Sequence, residues 1–217
     1  MNCYCYETDT DFVLCVEDAE EELKENIIAG WFKESDNIYI KPYPLIDIKN
    51  GGDIRDIELV KRNFARLGMF MFHNMDDWQS DIKHIAQILS DNGLEWYIAG
   101  SISEAILGVE IEPHDIDIIV HTDDFFKVKE IFIDSVVEPF IDNKGHWVVR
   151  YFGRICLNKG FVDIIADEAW NKDKKQYNMV SWFGYNLFIE PLQTRYKIEI
   201  SRNRIDRIKA FEEYMNR

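Results

Sequence analysis

The sequence predicts an α+β chain in which a small α/β unit precedes a larger domain of strands and helices, and three observations carry that expectation. Residues 1–46 hold two strand-like runs around an acidic helical stretch. From residue 54 onward, apolar runs of strand length alternate with segments of helical periodicity. Within this second region lie residues 97–120, YIAGSISEAILGVEIEPHDIDIIV, where a strand enters a Gly-Ser turn, a short amphipathic helix follows, and a second strand bears Asp115 and Asp117.

Composition bounds the classes of function. A chain of 217 residues that is 47% hydrophobic can bury a substantial core. The formal net charge of −15 argues against duplex nucleic acid as a partner, because such binders need a basic footprint to displace counterions. A small or locally positive substrate is easier to accommodate, and electrostatic steering would favour a polycation. No apolar run reaches the roughly 20 residues of a membrane-spanning helix, so no membrane partner is expected. Cys3, Cys5, Cys15 and Cys156 follow nothing resembling a signal peptide, and Cys3-x-Cys5 lacks a second ligand pair at metal-binding spacing. Free thiols and a cytoplasmic location are expected.

In chain order, residues 12–16 (FVLCV) predict a strand, 17–29 an acidic helix with Asp18 as its N-cap, and 37–40 (NIYI) a second strand ended by Lys41-Pro42-Tyr43-Pro44. Asn50-Gly51-Gly52-Asp53 reads as a turn. Ile57, Val60, Phe64, Leu67 and Phe70/Met71 recur at three and four, predicting a helix over 54–72 whose apolar end packs on the domain that follows. The division is placed after residue 72, giving units 1–72 and 73–217. Asp76 or Asp77 caps a helix over 78–90, and Asp91-Asn92-Gly93 stops it. After a strand at 96–99, Ser101 or Ser103 caps a helix through Leu107; a strand spans 114–121, and Asp123 or Asp124 starts a further helix. Residues 142–145 form a turn before a strand at 147–152, 161–165 (FVDII) a strand with Asp163 set inside it, 185–189 another, and 191–217 a charged helical tail. Lys172, Lys174 and Lys175 make a basic loop.

Carboxylates inside apolar strands require a chemical reason, since a buried ionised Asp without a partner is costly. Asp115 and Asp117 sit two apart, so they project from one strand face with Cα atoms about 6.5 Å apart. With Asp163 on an adjacent strand, three carboxylates would converge and divalent cations would relieve their repulsion. Mg²⁺ suits such a set because it keeps waters and completes its octahedron with phosphate oxygens, and two ions can clamp an in-line phosphoryl displacement. Gly100 permits close approach of a phosphate, the helix start offers unpaired N–H groups, and Ser101 adds a hydroxyl donor. Asp167 and Glu168 are alternative carboxylates near the third strand, and Arg150 and Arg154 are placed for phosphates.

The pattern Gly100-Ser101, a 13-residue spacer, Asp115-Ile116-Asp117 and a later strand Asp resembles the nucleotidyltransferase superfamily of DNA polymerase β. AGSISEAILG followed by PHDIDIIV is similar to its aminoglycoside and lincosamide nucleotidyltransferase branch and the minimal and toxin-system relatives, where a His often precedes the Asp-x-Asp. GYNLFIEPLQTRYK and Arg204-Ile205-Asp206-Arg207 resemble the closing strand and the Arg-Lys-Asp helix, with Ile205 where Lys is typical. The resemblance covers about residues 78–214 and implies the nucleotidyltransferase fold, a mixed sheet with helices on one side. It further implies Gly100 and Ser101 on the β,γ-phosphates of a nucleoside triphosphate, Asp115 and Asp117 on Mg²⁺, and Asp163 as third metal ligand or as base toward an acceptor hydroxyl. The expected reaction is Mg²⁺-dependent transfer of a nucleoside monophosphate to a small-molecule hydroxyl. Two alternatives stay open, a toxin-type enzyme acting on tRNA or protein and an inactive regulatory relative.

Overall fold

The computed structural model describes residues 1–52, 56–73, 75, 77–147, 149–158, 160–166 and 177–217. Asp53, Asp76, Asp167, Glu168, Lys172, Lys174 and Lys175 lie outside them. The chain begins with strands β1 (Asn2–Glu7) and β2 (Asp11–Glu17), helix α1 (Lys24–Ala29), strands β3 (Lys33–Ser35) and β4 (Ile38–Pro44), and helices α2 (Leu45–Gly51) and α3 (Asp56–Met71). Then come α4 (Trp78–Asp91), β5 (Trp96–Ala99), α5 (Gly100–Ile106), β6 (Ile116–Val120), α6 (Phe125–Ile131), β7 (Val136–Asp142), β8 (Tyr151–Leu157) and β9 (Gly160–Ala166). β10 (Asn178–Trp182), β11 (Tyr185–Ile189), α7 (Leu192–Ser201) and α8 (Ile205–Met215) close the chain.

Two sheets result. The first is antiparallel in the order β1-β2-β4-β3; the second is mixed, in the order β10-β11-β5-β6-β9-β8-β7, with β11 parallel to β5 and β6 parallel to β9. This is the predicted α+β arrangement with a mixed sheet. One continuous apolar core runs from Phe12 and Leu14 on β2, through Val60 and Phe64 on α3, to Ile116 and Ile118 on β6 and Ile189 on β11. Burial of large side chains at about 25 cal/mol per Å² is therefore shared by both sheets. Among the described residues no helix is long and apolar enough to cross a membrane.

Several local expectations give way to tertiary effects. Asp18 takes a positive φ of 50° after a strand that runs to Glu17, so it caps nothing; a 3₁₀ turn over Glu21–Leu23 precedes a helix of only six residues. Lys41-Pro42-Tyr43-Pro44 continues β4 instead of ending it. β3 pairs only as far as Ile40, so Pro42 sits where β4 has lost its β3 neighbour and the missing N–H costs no ladder bond there. Gly51 belongs to α2, whose backbone presses on β7: a Cβ there would collide with the Ile141 main chain. Met69 and Phe70 are exposed, while Met71 and Phe72 are fully buried. Asp77 caps α4 as expected, accepting from the Ser80 amide at 3.2 Å. Ser101 and Ser103 do not cap α5, because Ala99 holds the cap position and Ser103 donates to the Gly100 carbonyl at 2.7 Å. The strand expected over 147–152 starts only at Tyr151. The Asn143 side chain captures the preceding loop, accepting from the Gly145 and Trp147 amides and donating to the Val149 carbonyl.

Candidate active site

Strand register builds the site. Ala99 on β5 opposes Asp117 on β6, which opposes Asp163 on β9, which opposes Arg154 on β8, which opposes Glu138 on β7. Cross-strand partners share a face, so one row crosses five strands and is polar on four of them, from β6 to β7. The row two residues along is apolar: Tyr97, Ile119, Ile165 and Phe152. Ala99, Asp117 and Asp163 of the first row and all four members of the second floor a cavity of about 770 Å³, which Gly100, Ser101, His114, Asp115, Arg204 and Arg207 also line.

The structure brings together all five residues expected from the sequence. Carboxylate oxygens of Asp115, Asp117 and Asp163 lie within 4.8 Å of one another. Asp115 immediately precedes β6 and Asp117 sits within it; each keeps part of its surface open to the cavity, and Asp163 is buried. Burial first, and then the neighbouring carboxylates, push the Asp117 acid well above its ordinary range; burial and Asp163 raise Asp115. Such a set is under electrostatic stress that a cation would relieve.

Gly100 is required beside it. Its φ of +65° is left-handed, and a Cβ at this position would run into the Asp117 carboxylate. The Ser101 hydroxyl that follows is buried without a hydrogen-bond partner among the described groups. A buried orphan hydroxyl is costly unless something fills its hydrogen-bonding capacity. The oxygen-only donor set, the space kept open by Gly100 and this spare hydroxyl fit Mg²⁺ together with a phosphate.

Arg154 corrects the expectation that it serves phosphate. It is 1% exposed and clasps Asp163 with two hydrogen bonds, Nε to Oδ1 at 2.5 Å and Nη2 to Oδ2 at 3.0 Å, while Nη1 donates to Glu138 at 2.9 Å and to the Gly30 carbonyl at 2.9 Å. Glu138 in turn accepts from Lys41 Nζ at 2.6 Å and from the Tyr43 hydroxyl. Burial alone would raise the Glu138 acid, but the Arg154 and Lys41 charges hold it below its usual range; burial and Arg154 lower Lys41 to about 8. Arg150 likewise pairs with Asp142, at 2.8 Å. Lys41 and Trp31 both line the cavity, so residues before the predicted boundary contribute to the site. No short motif marks Lys41, Arg154 or Glu138; only the register does.

A second arginine cluster closes the other rim. Arg195 on α7 donates to Glu104 at 2.8 Å and Glu199 at 2.6 Å and pairs with Glu190 at 3.4 Å. Arg207 reaches Glu104 and Arg204 reaches Glu199, each at 3.3 Å. The charged tail expected from the sequence thus turns inward through α7 and α8.

No family model and no curated protein matches the chain. Solved structures do. A protein from Thermotoga maritima described as a nucleotidyltransferase aligns with 66% of this chain and 96% of its own length, at 21% identity and a TM-score of 0.52. The lincosamide antibiotic adenylyltransferase LnuA, solved with lincomycin bound, aligns with 64% of this chain and 98% of its own, at 13% identity and a TM-score of 0.51. The fold is therefore the nucleotidyltransferase fold.

Proposed function

We propose that this chain is a divalent-metal-dependent nucleotidyltransferase that moves a nucleoside monophosphate from a nucleoside triphosphate to a hydroxyl of a small-molecule acceptor, releasing pyrophosphate. The observation that carries this reading is the convergence of Asp115, Asp117 and Asp163 beside a glycine that has no room for a side chain and a serine hydroxyl with no partner. Asp115, Asp117 and Asp163 would hold Mg²⁺, two ions in the full complement, which when bound neutralises phosphate charge and aligns attacking and leaving oxygens. Gly100 lets the β,γ-phosphates approach the main chain, and Ser101 donates to them. Asp163, oriented by the Arg154 clasp, faces the side from which an acceptor hydroxyl enters and takes its hydrogen bond. Arg204 and Arg207 place positive charge along the same cavity for the triphosphate. Catalysis is then mainly positioning and charge neutralisation. All four cysteines are free, which suits a reducing cytoplasm.

The test is calorimetry with each of ATP, GTP, CTP and UTP with and without Mg²⁺, followed by transfer assays over an acceptor panel. At least one triphosphate should bind in a Mg²⁺-dependent manner that Asp115→Ala and Asp117→Ala abolish. Folded protein that binds none of the four overturns the reading.

A further inference from the structure

The polar row gives the site a direction. Gly100 and Ser101 stand at its β5 end, Asp117 and Asp163 in the middle, Arg154 and Glu138 at its β7 end. With phosphates at the first end, an in-line displacement brings the acceptor from the other. That end is walled by Trp31, in the turn between α1 and β3, and by Trp147, in the loop between β7 and β8, and not by the strands carrying the carboxylates.

Trp31 dominates this wall. It is 58% exposed although it is among the largest apolar side chains, and it takes a left-handed φ of 73°, which is costly for a bulky residue and commonly retained where function over-determines the backbone. Its ring stacks on Trp147, with centroids 6.1 Å apart and planes at 25°. Trp147 is fixed from below by Tyr43 at 5.7 Å and Phe152 at 5.8 Å, and by the Asn143 brace on its loop. The preceding carbonyl, that of Gly30, accepts from both Arg154 and Lys41 at 2.9 Å. Trp31 is thus tied to Asp163 through one carbonyl and one guanidinium. The apolar row Tyr97, Ile119, Ile165 and Phe152 continues the same surface along the floor.

The charges beside the aromatic pair are Lys41 and Arg154, with Glu138 neutralised between them and shut off from solvent. With Asp163 clasped by Arg154 as well, a polycation would find no unpaired carboxylate among these groups, in spite of the overall charge of −15.

We propose that Trp31 and Trp147 form the acceptor subsite and select a neutral ring-bearing alcohol, whose apolar face lies against the indoles while a ring hydroxyl points at Asp163. This rests on the transfer reaction proposed above. Trp31 is a specificity-determining residue, supplied by the turn between α1 and β3, outside the strands that hold the carboxylates.

Phenyl β-D-glucopyranoside is a suitable probe, with sorbitol as a ringless polyol and tobramycin as a polycationic one, each titrated by calorimetry with and without Mg²⁺ and the α,β-methylene analogue of the triphosphate that binds. The glucoside should bind more tightly than either control. Trp31→Ala should weaken it about fivefold, in line with one aromatic stacking contact. Trp31→Phe should restore it, and nucleotide affinity should stay unchanged in both variants. Since Trp31 is exposed, the alanine variant keeps the fold, which a melting curve checks. The proposal is overturned if Trp31→Ala leaves glucoside affinity intact, if it weakens the nucleotide instead, or if sorbitol or tobramycin binds more tightly. Loss of nucleotide binding in the unaltered protein would defeat the transfer reading separately, because glucoside binding is also read without nucleotide.

Discussion

Two arginine clusters flank the cavity, each with as many carboxylates as cations, and they differ in how far those cations are buried. Around Arg154, two cations (Arg154 and Lys41) meet two carboxylates (Glu138 and Asp163), every member 7% exposed or less. Around Arg195, three carboxylates (Glu104, Glu190 and Glu199) meet one buried arginine and two partly exposed ones, Arg204 and Arg207. The first cluster draws its members from β4, β7, β8 and β9, so its formation joins the two sheets. The second is confined to α5, the end of β11 and the two last helices. The difference assigns them separate tasks: the first fixes where Asp163 and the N-terminal wall stand, and the second presents cationic N–H groups to the cavity.

The largest expected effect breaks the first cluster. Arg154→Met leaves Asp163 and Glu138 facing each other without their shared cation, and removing one partner of a buried pair typically costs about 3–5 kcal/mol. Urea denaturation should show a loss of that size. Pairing Arg154→Met with Glu138→Gln should recover part of it, since the second change leaves one carboxylate for the one remaining cation, Lys41. A loss below about 1 kcal/mol would mean that the two sheets are held by apolar contacts alone and that Arg154 only orients Asp163.

Asp81 sharpens the role of charge balance, because among the described residues no ion pair to it is found. It is 3% exposed on α4 and meets the Asn158 amide. Burial, only partly offset by that hydrogen bond, raises its acid to about 6, whereas Glu138, deeper still, is lowered by Arg154 and Lys41. The sign follows from linkage: between about 4 and 6 the folded chain holds a proton that the unfolded chain has lost, so this group makes stability fall as pH rises through that window. Asp81→Asn should therefore raise the melting temperature by a few degrees at pH 7.5 and change it little at pH 4. An equal shift at both pH values would place the effect in packing and not in charge.

What could be read in advance follows the same division. Gly100-Ser101 and Asp115-x-Asp117 were legible because strand alternation and turn chemistry act over a few residues, and Asp163 because a lone carboxylate in FVDII has no other ready explanation. The convergence of the three, and the apolar row beside them, depend on pairing β6 with both β5 and β9, which spacing does not specify. Lys41 was hidden behind the expectation that Lys41-Pro42-Tyr43-Pro44 ends a strand. Trp31 and Trp147 carried no pattern at all, since one follows a short helix and the other sits in a loop braced by Asn143. Arg154 looked like a phosphate ligand because its two carboxylate partners lie 16 residues behind and 9 ahead on neighbouring strands. The tail was legible as a charged helix, but its inward turn onto Glu104 was not.

The smallest effect on stability tests the second cluster. Arg204 is 40% exposed at its side chain and pairs with Glu199 at 3.3 Å, an arrangement whose loss usually costs less than about 1 kcal/mol. Arg204→Ala should leave the urea midpoint nearly unchanged. If the cluster serves the triphosphate, the same variant should bind nucleotide several-fold more weakly at low salt, and the deficit should shrink as ionic strength rises, because a partly exposed charge is screened over about 8–10 Å. Retained nucleotide affinity together with a stability loss comparable to that of Arg154→Met would make the two clusters alike, both acting as frame, and would leave phosphate neutralisation to the metal-binding carboxylates and Ser101.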